Sequence, residues 1–371
     1  MNYDVIIAGA GFAGLAAAGE LRDKRVLLID RYPIGTHQAS ACGTLLGVMQ
    51  ALDAMDCVLQ IHPRIVIHGP HGTIAYPLSH PFCTFDFHRL MHKLASRTDA
   101  EFLLAQVTGV QGNVVSTTRG DFEGQILVDA TGWGAALARS LSASHVVKSK
   151  MSFGMETTQT CRGDGLLFWY DPTRYQPEQP IWIFPCGEES RIGVASYSGD
   201  TKLKKELEHF MRELGLAVSE IHGGYFPSAL REPAVGNLFV VGDAAGQCFA
   251  VTGEGIRGAL YFGQAAGRIV RRVVDGEIAP AQGLAEYRRF VYAHRLYFTI
   301  TYWIQQLLSN SSGFWTDGIL RFFHLPIVLA VVTRVYVAAL NPAALRREPD
   351  AAGAPASPAS LTAKPGCSNV T

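Results

Sequence analysis

Residues 3–8 form an apolar run that leads straight into Gly9-Ala10-Gly11-Phe12-Ala13-Gly14. This GxGxxG is followed by an Ala-rich helical pattern to about Leu21, then by a second apolar run, 25–29, ending at Asp30. Strand, glycines, helix, strand and acid in this order are the context of a dinucleotide-binding βαβ unit. Gly9 permits the tight turn, Gly11 lets the backbone approach a pyrophosphate, and Gly14 lets helix and strand pack closely. Asp30, with Arg31 beside it, is placed to meet ribose hydroxyls, and an acid there suits an unphosphorylated ribose.

A second stretch carries the other half of the argument. The apolar run 237–241 delivers Gly242-Asp243-Ala244-Ala245-Gly246, and a helix begins among Thr252-Gly253-Glu254-Gly255-Ile256. Asp243 can anchor a polyhydroxyl chain, and the helix N-terminus can face an electron-rich ring. A flavin needs both, so FAD is the expected cofactor. Between these stretches, residues 121–127 read as a strand closing at Asp129-Ala130-Thr131-Gly132, a small-residue turn where backbone can pass close to a cofactor.

The rest of the chain sorts around these points into an α/β architecture: a Rossmann-like FAD-binding domain, an inserted antiparallel sheet and a C-terminal helical region. The expected divisions are 1–61, 85–150 and 233–280 for the FAD-binding domain, 62–84 for an inserted hairpin and 151–232 for the substrate sheet. Residues 281–345 form the helical region, and 346–371, rich in Ala, Pro, Ser and Gly, a disordered tail. Val107 ends a strand, 102–107, that returns to the parallel sheet. Arg89 lies on a helical stretch, 85–96, and is read either as a phosphate contact or as a solvated side chain. Cys42-Gly43 follows the second strand on the cofactor edge, where Cys42 lies over the ring or is simply a buried thiol. In the sheet region, Trp169, Tyr170, Trp182, Phe184, Tyr197 and Tyr225 line an apolar pocket or pack their own core.

Composition narrows the setting. Lys+Arg and Asp+Glu balance at 32 each, so no charge excess points to nucleic acid or an anionic surface. Seven Cys, an odd number without a CxxC pair, suit reduced thiols in a cytoplasmic protein and no metal site. The first strand starts too early for a signal peptide. Residues 314–340 are strongly apolar but interrupted by Arg321, His324, Pro326 and Arg334. They read as a peripheral membrane anchor or a buried helix pair, without the roughly 18 uncharged residues of a spanning helix.

The three separated motifs, in this order, resemble the FAD-dependent family of aromatic hydroxylases, flavin halogenases and geranylgeranyl reductases. The resemblance covers about residues 1–280. Within it, GDAAG…TGEGI, Trp182-x-Phe184-Pro185 with Gly193 eight positions on, and Cys42-Gly43 are similar to the geranylgeranyl reductase branch. Ala250 stands where that branch usually has Pro, and Pro180 where it has an aromatic residue. The resemblance implies an FAD-dependent oxidoreductase that reduces double bonds of a long isoprenoid or other apolar substrate. Its donor would be NAD(P)H or a reduced carrier protein. It implies a proton supplied by water or by Cys42 as the catalytic residue, and a substrate surface at Trp169, Trp182, Phe184, Pro185 and Gly193. The cofactor contacts it implies are those at 9–14, Asp30, Arg31, Cys42, Gly43, Arg89, Val107, 130–132, Gly242, Asp243, Gly253, Gly255 and Ile256. A monomer acting on a lipid is expected. The rivals are a flavin monooxygenase, a redox-neutral cyclase and a chain without catalysis. Hydroxylases commonly carry His where Gly246 stands, and the absence of Lys between Lys24 and Lys93 counts against halogenation.

Overall fold

The structure is a computed structural model that describes residues 2–38 and 40–346. The expectation for the tail therefore lies, past Arg346, outside the described residues. Strand β1 (Asn2–Ala8), helix α1 (Phe12–Gly19) and strand β2 (Val26–Asp30) form the first βαβ unit, with β1 and β2 parallel. Val5, Ile6, Ile7 and Ala8 are buried on both sides, as expected of a parallel strand covered on two faces. Next come β3 (Gly43–Leu45), α2 (Leu46–Ala51) and the long hairpin β4 (Val58–Gly69) and β5 (Gly72–Phe85). Helix α3 (Phe87–Ala95) starts at Asp86, whose carboxylate accepts a hydrogen bond from Arg89 N at 3.0 Å. Strand β6 (Glu101–Leu104) extends the parallel sheet beside β2. The meander β7 (Val107–Gln111), β8 (Val114–Thr117) and β9 (Gly120–Asp129) brings the chain back beside β1. Asp129 is fully buried and accepts from Thr131 N, Thr131 Oγ1 and Ala138 N, which shapes the turn into α4 (Ala136–Leu141).

The second sheet is built from β10 (Met151–Gln159), β11 (Leu166–Trp169), β12 (Ile181–Cys186) and β13 (Glu189–Ser196). Helix α5 (Lys204–Glu213) and strand β14 (Ile221–Pro227) follow. Its order is β14-β10-β13-β12-β11-β4-β5-β3, antiparallel except where β11 runs parallel to β4. The inserted hairpin thus joins the sheet of residues 151–227. The chain then returns to the first sheet through β15 (Ala234–Val235) and β16 (Leu238–Val240), giving the order β15-β16-β9-β1-β2-β6.

Helix α6 (Ile256–Val274) packs on α1 through backbone as much as side chain. A Cβ at Gly263 would lie 2.5 Å from Ala13 O, and one at Gly267 2.5 Å from Ala17 O. After it come α7 (Pro280–Ala293), α8 (Arg295–Ser309), α9 (Gly313–His324) and α10 (Pro326–Ala339). The helical region expected over 281–345 starts with two helices, α7 and α8, that break at His294. The apolar segment 314–340 is also two helices, divided before Pro326, which takes the first helical position of α10.

Replacing Gly263 by Val sets a branched side chain against the backbone of α1. Overpacking of this kind costs about 1–3 kcal/mol. A urea melt of Gly263→Val is expected to show a lower midpoint with an unchanged slope.

Candidate functional site

One cavity of about 1410 Å³ runs between the two sheets and under the C-terminal helices. Ordinary small-molecule pockets measure roughly 300–1,000 Å³, so this one has room beyond a single cofactor. Its cofactor end begins at the first βα turn. Gly9 has φ +105° and lies so near Ala130 O that a Cβ would sit 2.1 Å from it. Gly14 is closer still, a Cβ there falling 1.8 Å from Gly9 O. Gly11 has nothing within 4 Å of where a Cβ would be, and it begins α1 without a side-chain cap. The backbone N–H groups of the first helical turn are therefore presented to the cavity, a cradle for an anionic group. Asp30 accepts from Ala10 N at 2.7 Å through one oxygen and from Tyr32 N at 2.9 Å through the other. Each oxygen retains a lone pair for a hydroxyl.

Farther along lie Ala130, Thr131 and Gly132, then Asp243. The Asp243 carboxyl makes no hydrogen bond to protein among the described residues and faces the cavity. Burial pushes it up to about 6 against the pull of the Arg231 guanidinium, which donates to the Asp243 carbonyl at 3.2 Å. An unpartnered carboxyl beside a glycine cradle fits the sugar chain of a dinucleotide cofactor. The residues present thus fit FAD at both ends.

The structure lines the cavity with most of the residues that the sequence nominates for the cofactor: Gly9 to Ala13, Asp30, Arg31, Gly43, Val107, Ala130 to Gly132, Gly242, Asp243, Gly253, Gly255 and Ile256. It separates three others, and with them Trp169 of the substrate set. Gly14 serves helix packing. Arg89 lies on the outer surface beside Asp56, 3.7 Å away. Cys42 has a left-handed backbone, φ +54°, and its side chain is fully buried in the main core. Its Sγ donates to Ser40 O at 3.1 Å, and burial pushes the thiol up to about 12. A thiol held neutral and away from the cavity wall is neither nucleophile nor ready acid. Trp169, nominated for substrate, points to the opposite face of its sheet, stacked on His68 and against Phe210.

The pleat decides that last case. Along β11 and just past it, Leu166, Phe168 and Tyr170 face the cavity, while Leu167 and Trp169 face α5. The same alternation on β12 puts Trp182 and Phe184 in the wall and turns Pro185 away, where its carbonyl accepts from Thr84 Oγ1 at 2.7 Å. Gly193 lies beneath the indole of Trp182, where a Cβ would come within 2.2 Å of the ring. It shapes the wall without lining it.

Three polar groups stand in the wall, and of these Glu254 and the His222–Glu156 pair carry no assigned role in the sequence reading. Glu254 stands inside the quoted TGEGI motif. It accepts from Arg257 at 2.8 Å, from Thr44 at 3.4 Å and from the Tyr336 hydroxyl. Tyr170 and Tyr197 share a hydrogen bond of 2.8 Å, and Tyr197 donates to Val251 O at 2.7 Å. His222 on β14 meets Glu156 on β10 at 2.7 Å. Only cross-strand register brings that last pair together, so no local sequence signal marks it.

No family model matches this chain. Among curated proteins it is similar to digeranylgeranylglycerophospholipid reductase 3 of Methanosphaera stadtmanae, 24% identical over 332 positions, 79% of this chain and 83% of the relative. The digeranylgeranylglycerophospholipid reductase of Methanocella arvoryzae is 26% identical over 328 positions, 77% and 82%. Among solved structures, a geranylgeranyl bacteriochlorophyll reductase-like protein from Thermoplasma acidophilum matches with a TM-score of 0.80 and 18% identity. That match covers 93% of this chain and 98% of the other. PqsL from Pseudomonas aeruginosa, described as a probable FAD-dependent monooxygenase, matches with a TM-score of 0.67 at 15% identity, over 84% and 97%.

Because the Asp243 carboxyl is raised from the usual 3.8 to about 6, its contribution to stability is full below about pH 4. That contribution is lost as pH rises through about 6. Asp243→Asn is therefore expected to melt higher than wild type in the cofactor-free form at pH 8, and alike at pH 4. FAD affinity should fall about 10- to 100-fold, the worth of a hydrogen bond to a charged group, as read by flavin fluorescence titration. In sequence this chain is similar to the digeranylgeranylglycerophospholipid reductases, and it shares its fold with the geranylgeranyl reductase-like and flavin monooxygenase structures.

Proposed function

We propose that the protein reduces carbon–carbon double bonds of a long isoprenoid lipid. The observation that carries this reading is the cavity's continuation past the cofactor end into an apolar channel. Ile65, Ile67, Leu78, Phe168, Phe184 and Leu320 wall it, and they suit a hydrocarbon chain. The relatives named as reductases of geranylgeranyl lipids support the same substrate class.

When bound, reduced FAD supplies a hydride to one carbon of the double bond. The chain's own residues hold the reactants and exclude water. Gly9 to Gly11, Asp30 and Asp243 would hold the cofactor. Trp182, with Gly193 making space beneath it, presses on the substrate region. The second carbon needs a proton. With the Cys42 thiol in the core, His222 becomes the candidate acid: its imidazole lines the cavity, and the hydrogen bond to Glu156 pushes its pKa above the ordinary range. The donor of electrons is NAD(P)H or a carrier protein, and the working location is the cytoplasm, with peripheral contact to a membrane through residues 314–340.

The fold is shared with monooxygenase-type neighbours, so oxygen is the reactant to control. With the flavin reduced chemically under anaerobic conditions, a geranylgeranylated lipid is expected to restore the oxidised-flavin absorbance. The lipid should gain two hydrogens per flavin. Absorbance that returns only on admission of air, with the lipid then oxygenated, overturns the reductase reading in favour of a monooxygenase. A lipid cyclised while the flavin stays bleached overturns it in favour of redox-neutral chemistry.

A further inference from the structure

Helices α8, α9 and α10 each keep a row of large apolar side chains in water. On α8 the row is Leu296, Ile300, Trp303 and Leu307, spaced along one helical face, with Trp303 65% exposed. On α9 it is Phe314, Trp315 and Phe322, with Phe314 75% exposed. On α10 it is Ile327, Val331 and Val335, with Ile327 81% exposed. Isolated exposed apolar residues are ordinary, but ten on three consecutive helices mark an interaction surface.

The other faces of these helices wall the cavity. Ile304 of α8, Leu320 and Phe323 of α9, and Leu329 and Tyr336 of α10 line its apolar channel. Val332 does both: it lines the channel and is 41% exposed. The exposed surface and the channel therefore meet at α10.

Charge indicates what covers the surface. Between positions 294 and 340 there are three arginines, Arg295, Arg321 and Arg334, and one acid, Asp317. Asp317 is paired with Arg321 at 2.6 Å. Arg295 and Arg334 form no ion pair among the described residues. A chain balanced overall is thus basic here, and two tryptophans, Trp303 and Trp315, stand in the same surface. Apolar rows with interspersed arginine and tryptophan match the interface of an anionic leaflet.

The segment Pro326–Leu345 has a mean hydropathy of 1.7 and, by length and composition only, is long and apolar enough to cross a membrane. Its regular helix, however, has 14 residues. At 1.5 Å per residue that is about 21 Å, short of a core of about 30 Å. Its inner side is also tied to the fold: Arg257 donates to Tyr336 O at 3.0 Å and to Leu340 O at 3.3 Å. A helix so held lies along a surface.

We propose that α8, α9 and α10 form one docking face that rests in the outer part of an anionic lipid leaflet, and that the substrate chain enters the channel from that leaflet beside α10. The inference rests on the lipid-reductase reading for the substrate, while docking itself needs no turnover.

The test is flotation of the full-length, FAD-loaded protein with phosphatidylcholine vesicles, with and without phosphatidylglycerol. Wild type is expected to float with both and more strongly with the anionic vesicles. The triple variant Trp303→Glu/Trp315→Glu/Ile327→Glu should lose at least about tenfold in binding, since each site removes a large apolar contact. It should retain flavin and reduce a detergent-dispersed isoprenoid at the wild-type rate, but lose reduction of vesicle-embedded lipid. Arg295→Gln/Arg334→Gln should abolish only the preference for phosphatidylglycerol. Ile327→Glu alone, at the most exposed position, serves if the triple variant loses flavin. Wild type that stays unbound, or variants that float as well as wild type, overturn docking. So does a wild-type dimer that the triple variant dissociates without any flotation. Vesicle binding with no isoprenoid able to reoxidise the flavin instead removes the reductase reading and leaves the docking face standing.

Discussion

The contact between α1 and α6 is the constraint on which the rest of the molecule depends. These helices come from segments far apart in the chain, and they meet where Gly263 and Gly267 face the backbone carbonyls of Ala13 and Ala17. No side chain fits between them. Close approach sets the N-terminal glycine turn and the Asp243 loop on one cavity wall, so two segments distant in the chain each supply half of a candidate cofactor cradle. Gly242, with φ +63° and a hypothetical Cβ 2.8 Å from the Ala13 methyl, continues the same requirement into the loop itself.

Over this cradle the second sheet acts as a lid whose chemistry is set by alternation. On β11 and β12 alternate residues face the cavity, and their neighbours pack against α5. The row formed by His222, Glu156, Gly193 and Trp182 runs straight across four strands. It combines a hydrogen-bonded imidazole with a large ring seated on a glycine. Neighbouring Gly154 and Gly224 keep the surface shallow. A wall of this kind orients an apolar molecule while holding few polar groups.

The lid and the cradle are joined to the C-terminal helices by a buried ion pair. Arg257 is fully buried, paired with Glu254 at 2.8 Å, with Phe249 and Tyr336 rings beside its guanidinium. Taking both charges out of water carries a desolvation penalty, and such pairs add little net stability. The pair does give position: Glu254 belongs to the cofactor loop, and Arg257 holds the end of α10. The helix with the most exposed apolar residue is thereby anchored to the loop of Thr252 to Gly255 that lines the cavity.

Much of the architecture was legible in the sequence because its signals are local. Gly9, Gly11, Gly14 and Asp30 stand within one βαβ unit, and Asp243 follows its own strand, so spacing along the chain was enough to assign them to a cofactor cradle. The inserted sheet was legible as short aromatic and β-branched runs. What spacing did not contain is the direction of side chains. Trp169 and Trp182 look alike in sequence, yet the pleat turns them to opposite faces. Cys42 and Gly43 are neighbours, but a left-handed backbone sends the thiol into the core and leaves the glycine at the wall. The pairing of His222 with Glu156 arises from register between strands. The exposed rows of α8 to α10 arise from how much of each helix the cavity occupies. The sequence by itself determined the elements and the cofactor class, because those follow from local backbone chemistry. Tertiary structure alone decided which side chains reach the reacting space, because that depends on contacts between segments distant along the chain.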